Sequence, residues 1–455
     1  MSDSMSDTIA AIATPIGTGA IGIVRVSGAD SLAILRRVFR REDRADDYAS
    51  HMMYFGFVTH EGERVDEALA VFFRAPKSYT AEDSAEIYCH GGTVTVRRTL
   101  EAVLKAGARA AEPGEFTRRA FENGRIDLTR AEATLSLIEA TSEAAARVSL
   151  NALSGGSARF ISAAKESLSH MLAAIDAAID FPDEVDETLT RAELLLGIDA
   201  LLSSLEKASD ETVRRRVTEG ITVVLAGAPN VGKSSLLNAI LNEERAIVHD
   251  KAGTTRDIIE GSLQIAGMSV TIYDTAGLRN TADAVEQIGI DRALARIERA
   301  DIVFAVLDAS RGVSDDEQER VQSVPRNKLR IIFNKTDLIN GRENSILTDK
   351  FPPVPIYYTS AVSGAGIGEV IAAIRGVAEQ TDGGGALVLN ARQAELARSA
   401  SAILREAKTN LEGGDPIDPL STDLMAALSI LCQIDGSDAK ETVIDDIFRL
   451  FCVGK

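Results

Sequence analysis

Four short segments carry residues able to bind and cleave a phosphoanhydride. Gly227-Ala228-Pro229-Asn230-Val231-Gly232-Lys233-Ser234 has the spacing GxxxxGKS, follows the apolar run Ile221 to Ala226 and precedes a helical pattern that begins with Ser235. Glycines at this spacing let backbone N–H groups turn inward around phosphate oxygens; Lys233 supplies a point charge to the β- and γ-phosphates, and the Ser234 hydroxyl can ligate Mg²⁺. Asp274-Thr275-Ala276-Gly277 ends the next strand-like run, which puts a carboxylate near the metal and a glycine N–H near the γ-phosphate. Asn334-Lys335-Thr336-Asp337 ends a later one. A carboxylate at Asp337 can accept from both N1–H and N2–H₂ of guanine, donors that adenine cannot offer, so the segment selects GTP over ATP. Ser360-Ala361-Val362 follows the last strand-like run, where a backbone N–H can meet guanine O6.

The elements that must position these groups are legible as an alternation. Strand-like runs at Ile221 to Ala226, Val270 to Tyr273, Ile302 to Leu307, Arg330 to Phe333 and Ile356 to Thr359 alternate with helical stretches, which predicts a mainly parallel sheet with helices on both faces. The order and placement of the four segments resemble the translation-factor-like GTPases. One residue narrows the chemistry: Leu278 directly follows Asp-Thr-Ala-Gly, where Ras-like GTPases carry the glutamine that orients the attacking water. Leucine cannot do that, so the water-positioning group must come from elsewhere, and Glu286 in the following acidic stretch is the candidate.

At roughly 100–200 residues per domain, the 455 residues predict two to four domains. With 45% apolar and 26% charged residues the chain is globular. No apolar run approaches the length of a membrane span, and neither a span nor a secretory signal is expected. Cys89, Cys432 and Cys452 are far apart and form no CxxC pair, so neither a disulfide framework nor a zinc knuckle is indicated, and a reducing cytoplasm fits. His90, beside Cys89, lacks further ligands for zinc. A net charge of −19 repels phosphate backbones on average, so any nucleic-acid contact is local. The basic clusters Arg36, Arg37, Arg40, Arg41 and Arg214 to Arg216 read as solvated helix faces.

Residues from Thr8 to about Arg119 mix short strand-like runs (Ile21 to Val26, Ala68 to Phe73, Ser84 to Tyr88) with a helix over Val94 to Ala106, which predicts a compact α+β domain. From Thr129 to about Arg216, and again from 390 to 451, apolar residues recur at helical spacing, interrupted at Gly155-Gly156 and Phe181-Pro182. Both helical segments need a buried partner, so the α/β domain is inserted into one helical domain. Gly17-Thr18-Gly19-Ala20-Ile21-Gly22 satisfies the dinucleotide fingerprint GxGxxG, but β-branched residues continue it as a strand where a Rossmann loop must open a helix.

Segments spread over nearly the whole chain, among them ATPIGTGAIGIVRVSG, AEPGEFTRRAFENGRIDLTRAEA, GAPNVGKSSLLNAIL, DTAGLR, VEQIGI, NKTDL, LNARQ and the terminal FCVGK, resemble the MnmE (TrmE) family of tRNA modification GTPases. The resemblance implies an N-terminal tetrahydrofolate-binding and dimerisation domain over 1–120, a discontinuous all-α domain over 121–216 and 381–455, and an inserted Ras-like P-loop GTPase domain over 217–380. It further implies a homodimer that joins the flavoprotein MnmG in a heterotetramer and installs a (carboxymethyl)aminomethyl group at C5 of the wobble uridine (U34) of certain tRNAs. By the same resemblance the nucleotide contacts fall on Asn230, Val231, Gly232, Lys233, Ser234 and Ser235, on His249, Asp250, Lys251, Ala252, Gly253, Thr254 and Thr255, on Asp274, Thr275, Ala276 and Gly277, and on Asn334, Lys335, Asp337, Ser360 and Ala361. Mg²⁺ falls to Ser234 and Thr255, and K⁺ to Asn230, His249, Lys251 and Thr254. Glu286 is the implied hydrolytic glutamate and Cys452 the implied catalytic thiol of the modification site. A 5-formyl or 5,10-methylene tetrahydrofolate would meet Arg25, Glu86, Arg125 and Lys455. Four positions depart from the family pattern: His249 for threonine, Arg125 for lysine, Val362 for lysine and Gln393 for histidine.

Two other classes compete with this one: a GTPase switch that assists ribosome or RNA assembly without chemistry of its own, and a P-loop ATPase or kinase. Asp337 argues against the last and the FCVGK segment against the first.

Overall fold

The structure, a computed structural model, describes residues 7–43, 45–184, 186–243, 260–274, 296–339, 351–382 and 387–455. It divides into two compact units: residues 1–135, 151–206 and 395–455 form the first, and residues 136–150 and 207–394 the second.

The first unit is built on a seven-stranded sheet of β1 (Ile9–Ile12), β2 (Ile21–Ser27), β3 (Phe39–Arg41), β4 (Met53–His60), β5 (Glu63–Phe73), β6 (Ser84–His90) and β7 (Arg109–Ala110), in the order β3-β4-β5-β6-β2-β1-β7. All neighbours are antiparallel except β1 and β7. Strand alternation turns Val24, Val26, Ala85 and Ile87 into a core with Ile34, Leu35 and Val38 of α1 (Ser31–Val38) and Val96 and Val103 of α2 (Thr93–Lys105). The GxGxxG segment enters β2 at Ile21 and is held by Gly19 N–H donating to the Gly91 carbonyl, so it is a strand entry as the sequence indicated.

After the short α3 (Glu115–Glu122) and α4 (Leu128–Glu139) and the bridging α5 (Glu143–Leu153), helices supply the remaining core. α6 (Gly156–Asp180) buries Ile161, Ala164, Leu168, Met171 and Ile175, a stripe at three- and four-residue spacing. α7 (Glu187–Ala208) buries Leu194, Ile198, Leu201 and Leu205. Later in the chain come α12 (Ala391–Glu412), α13 (Leu420–Asp435) and α14 (Glu441–Arg449). Lys165 of α6 pairs with Asp435 of α13 at 2.8 Å. Phe448 and Phe451 close onto Phe121, Leu128 and Ala131, which seats the C-terminal segment against α3 and α4. Gln393 is buried in a capping box: its backbone N–H donates to Asn390 Oδ1 at 2.9 Å, and Asn390 N–H returns to Gln393 Oε1 at 3.4 Å.

The second unit holds a six-stranded sheet of β8 (Ile221–Ala226), β9 (Glu260–Ile265), β10 (Met268–Asp274), β11 (Ile302–Asp308), β12 (Leu329–Asn334) and β13 (Ile356–Tyr358), ordered β13-β12-β11-β8-β10-β9. Every pair is parallel except β9–β10, an antiparallel edge that the apolar-run reading did not contain. Ile221, Val223 and Leu225 pack with Leu236, Leu237 and Ile240 of α9 (Lys233–Glu243) and Val370, Ile371 and Ile374 of α11 (Ile367–Asp382). Val224 points to the opposite core with Leu329, Ile331, Phe333 and Val321 of α10 (Asp315–Gln322). Helices thus cover both faces.

Both basic clusters need correction. Arg40 and Arg41 lie on β3, not on a helix, and Arg41 stacks on Tyr54 and pairs with Asp43. Arg215 and Arg216 do sit on a helix, α8 (Glu211–Glu219), but both guanidiniums reach the buried Asp301, at 2.5 and 2.8 Å. The other carboxylate oxygen of Asp301 accepts the Thr222 N–H, so this pair of charges anchors α8 at the start of β8.

Candidate nucleotide and pocket sites

The residues of the phosphate-binding segment gather at the carboxyl ends of the parallel strands, where open α/β sheets present their ligand crevice. The loop leaving β8 enters α9 through Asn230 at φ 62° and Gly232 at φ 96°. At Gly232 any side chain would collide with the Asn334 amide, so glycine is required twice over, by backbone angle and by space. Lys233 is buried, and its ammonium donates to the carbonyls of Gly227 and Ala228 at 2.9 and 2.8 Å. Ser234 Oγ donates to Oδ2 of the fully buried Asp274 at 2.5 Å. A hydroxyl and a carboxylate converging at the mouth of the loop are the hard oxygen donors that Mg²⁺ prefers.

A second cluster tethers the guanine-reading segment to that loop. Asn334 donates through Nδ2 to the Val231 carbonyl at 3.0 Å and accepts at Oδ1 from Thr359 Oγ1 and the Ala361 N–H, each at 3.2 Å. Lys335, at φ 66°, donates to the Asn230 carbonyl at 2.6 Å and to Asp308 Oδ2 at 2.7 Å. Burial alone would raise the Asp308 pKa, but hydrogen bonds from Lys335 and Ser310 outweigh it and hold the carboxyl below its ordinary range. Asp337 stays exposed, with Oδ1 accepting from Ser360 Oγ at 2.6 Å and its other oxygen on the same side chain left to meet a base edge. Asp308 and Thr359 were missed in the sequence; Asp308 could have been noticed as an acid at the end of an otherwise apolar strand run.

His249, Asp250, Lys251, Ala252, Gly253, Thr254, Thr255, Thr275, Ala276, Gly277, Leu278 and Glu286 lie outside the described residues. Hydrogen bonds thus tie Asn230, Val231, Asn334, Lys335 and Ala361 together, and Ser234 to Asp274 and Ser360 to Asp337, on the same loops at the carboxyl ends of the strands.

In the first unit, Arg25 and Glu86 are register partners on β2 and β6 in the interior of the sheet. Arg25 Nε donates to Glu86 Oε1 at 2.8 Å, and Tyr88 Oη donates to Glu86 Oε2 at 2.6 Å. Burial, then the bond to Glu86, pushes the Tyr88 phenol up to about 12. Arg25 Nη1 donates to the Gly454 carbonyl at 3.2 Å. Gly454 adopts φ 98°, where a Cβ would collide with the Ile12 carbonyl, and Gly114 N–H reaches the Cys452 carbonyl at 3.5 Å. The Cys-Val-Gly-Lys segment is thereby docked on the α+β fold, with the Cys452 side chain exposed. Burial, reinforced by repulsion from Arg25 and opposed by Glu86, pulls the Lys455 pKa below that of an ordinary lysine.

Beside this cluster lies a cavity of about 420 Å³ lined by His51, Phe73, Pro76, Lys77, Ser78, Tyr79, Ser84, Glu86 and Arg125. Arg125 Nη1 donates to the Tyr79 carbonyl at 2.8 Å, and its guanidinium lies 5.1 Å from the Tyr79 ring centre. Arg25, Glu86, Arg125 and Lys455 are thus brought to one region; Tyr79, Tyr88 and the Gly454 carbonyl are additions that only tertiary pairing could reveal. His90 instead pairs with Asp66 at 2.8 Å, and no cluster of three or more metal-ligating side chains occurs among the described residues.

Residues 8–125 match the family described as GTP-binding protein TrmE N-terminus, and residues 128–452 match the MnmE helical domain. The chain belongs to the MnmE family of tRNA modification GTPases. The tRNA modification GTPase MnmE of Symbiobacterium thermophilum is 43% identical over 454 residues, 99% of each chain. That of Moorella thermoacetica is 43% identical over 473 residues, covering 99% of this chain and 100% of its own, and that of Thermotoga maritima is 41% identical over 461 residues with the same coverage. Membership in the MnmE family makes this chain a GTP hydrolase that serves tRNA modification. Among the described residues no helix is long and apolar enough to cross a membrane.

Proposed function

We propose that this protein couples GTP hydrolysis to installation of a (carboxymethyl)aminomethyl group at C5 of the wobble uridine, U34, acting in the cytoplasm as a homodimer with the flavoprotein MnmG in a heterotetramer. The observation that carries the reading is the presence of two separately built sites on one chain. Lys233, Ser234, Asp274 and Asp337 converge in the second unit. In the first unit, Arg25, Glu86 and the docked segment from Cys452 to Lys455 adjoin a cavity of about 420 Å³. A plain GTPase switch has no use for the second of these.

In the nucleotide site Asp337 reads guanine, with the Ser360–Ala361 segment held beside it by the Ala361 N–H to Asn334 bond, the N–H groups of the loop hold the phosphates, and Lys233 neutralises them. Ser234 and Thr255 would hold Mg²⁺, with Asp274 behind Ser234; the ion supplies neutralisation of charge developing on the β- and γ-phosphate oxygens. Asn230, His249, Lys251 and Thr254 would hold K⁺, and Glu286 orients the attacking water that Leu278 cannot. In the second site Glu86 suits the hydrogen-bond donors of a pterin ring, Phe73 and Tyr79 flank a planar group, and Arg125, Arg25 and Lys455 suit carboxylates. That donor set fits a 5-formyl or 5,10-methylene tetrahydrofolate, the one-carbon source for the methylene bridge. Cys452, exposed on the docked segment, acts in the modification site.

The test is nucleoside analysis of tRNA from cells lacking this protein. Loss of the C5-substituted wobble uridine is expected; a normal wobble uridine with impaired ribosome assembly would favour the GTPase-switch alternative.

A further inference from the structure

We infer that the cavity of the first unit recognises its folate as a poly-γ-glutamate conjugate, with the tail seated on the cationic rim formed by Lys77 and Arg125. The inference rests on the folate reading above and adds the form of the ligand.

Three observations carry it. First, the cavity is of modest size: about 420 Å³ lies near the lower end of small-molecule pockets, roughly 300–1,000 Å³, room for the body of such a ligand and not for an extended oligoglutamate chain as well. An attached chain must leave across the rim. Second, the rim inverts the sign of the molecule. The whole chain carries −19, yet the charged side chains lining this cavity are Lys77, Arg125 and a single carboxylate, Glu86. Glu86 is already held by Arg25 and Tyr88 on the sheet, so the lining leaves cationic charge uncompensated. Third, the cations are available. Lys77 is exposed and makes no ion pair with a described carboxylate. Arg125 is exposed and has a guanidinium edge beyond the one nitrogen spent on the Tyr79 carbonyl. His51, exposed and edge-on to Phe73 with ring centres 5.1 Å apart, is a further polar group in the lining.

A monoglutamyl folate presents two carboxylates at its end. Each further γ-linked glutamate adds one more α-carboxylate along a flexible chain, and so adds charge where the rim supplies cations. An arginine fork at 125 engages a carboxylate through two parallel bonds, which a lysine there could not.

The experiment measures binding of 5-formyl-tetrahydrofolate with one, three and five glutamates to the full chain by calorimetry, at low and high salt. The triglutamate is expected to bind on the order of tenfold more tightly than the monoglutamate, with the gain shrinking at 0.5 M salt. Lys77→Ala should flatten the dependence on tail length, and Lys77→Arg should restore it. Equal affinity for all three forms overturns the tail inference and leaves the folate reading standing. Failure of every form to bind overturns the folate reading itself. A free tri-γ-glutamyl peptide that binds as tightly as the triglutamyl folate overturns the inference in another way, since the rim would then be a general anion patch.

Discussion

Lys335 and Asp308 form an ion pair at 2.7 Å between the guanine-reading segment and the end of β11, and the same ammonium holds the Asn230 carbonyl at 2.6 Å. Asn230 belongs to the phosphate loop and is also the described member of the proposed K⁺ set. One lysine thus ties the Asn334–Asp337 segment both to the loop that carries Asn230 and to the end of β11.

Guanine specificity rests on Asp337. Replacing it with Asn exchanges an acceptor pair for one acceptor and one donor facing guanine N1–H and N2–H₂. Losing two charge-assisted bonds of about 1.5–3 kcal/mol each, partly replaced, should weaken GTP binding by roughly 100-fold and favour xanthosine nucleotides. Fluorescent-nucleotide titration of Asp337→Asn with both nucleotides checks this; unchanged GTP affinity would remove Asp337 from the site.

Hydrolysis should need K⁺ and a second copy of the GTPase fold, because Leu278 leaves the attacking water without its usual partner. Glu286→Ala is expected to lower kcat by about 10²–10⁴-fold with little change in GTP affinity, the pattern of an interaction made in the transition state. Turnover assays in K⁺ and Na⁺ buffers, with and without a transition-state analogue, supply the check. Equal rates in the two salts and no analogue-induced dimer would count against it.

Cys452 is exposed while the residues on either side of its segment are fixed, Phe451 in the core and Gly454 on the Arg25 guanidinium. Cys452→Ser should leave GTP turnover within about twofold of wild type and abolish tRNA modification. A variant that modifies tRNA normally assigns the thiol no chemical role.

His90 provides a pH-dependent marker of the α+β fold. Its imidazole bonds the Asp66 carboxylate, and that bond, followed by the Asp66 charge, raises its pKa above the ordinary 6.5. A raised folded-state pKa means that the pair's stabilisation is fully present below the unfolded value and is lost as pH rises through the folded one. The NMR titration midpoint of His90 should lie above 6.5, and Asp66→Asn should bring it back to that value. A midpoint unaffected by the substitution would show that the pair does not form in solution.

The parts of the fold set by local pattern were legible in the sequence. Apolar runs gave β8, β11 and β12 nearly residue for residue, and the strand–loop–helix context of Gly227 to Ser234 fixed the phosphate site. What depends on pairing between distant strands was not legible. Arg25 and Glu86 are 61 positions apart, and only the β2–β6 register makes them partners. β4 and the first half of β5 escaped notice, although Ala68 to Phe73 read as a strand, because exposed apolar residues such as Phe55 weaken the alternation of β4. The same limit hid Asp301 under Arg215 and Arg216, whose charges looked like an ordinary solvated face until the partner strand was placed.

The central claim is that this chain spends GTP to modify tRNA, and a reconstituted reaction tests it most directly. The protein, the proposed flavoprotein partner, unmodified tRNA, reduced folate and an amine donor are incubated with GTP, with a non-hydrolysable GTP analogue, or with no nucleotide, and C5-substituted uridine at the wobble position is quantified by mass spectrometry of the digested tRNA. The account predicts that the modified nucleoside accumulates with GTP alone. Equal accumulation without hydrolysable nucleotide, or none under any of the three conditions, would contradict it.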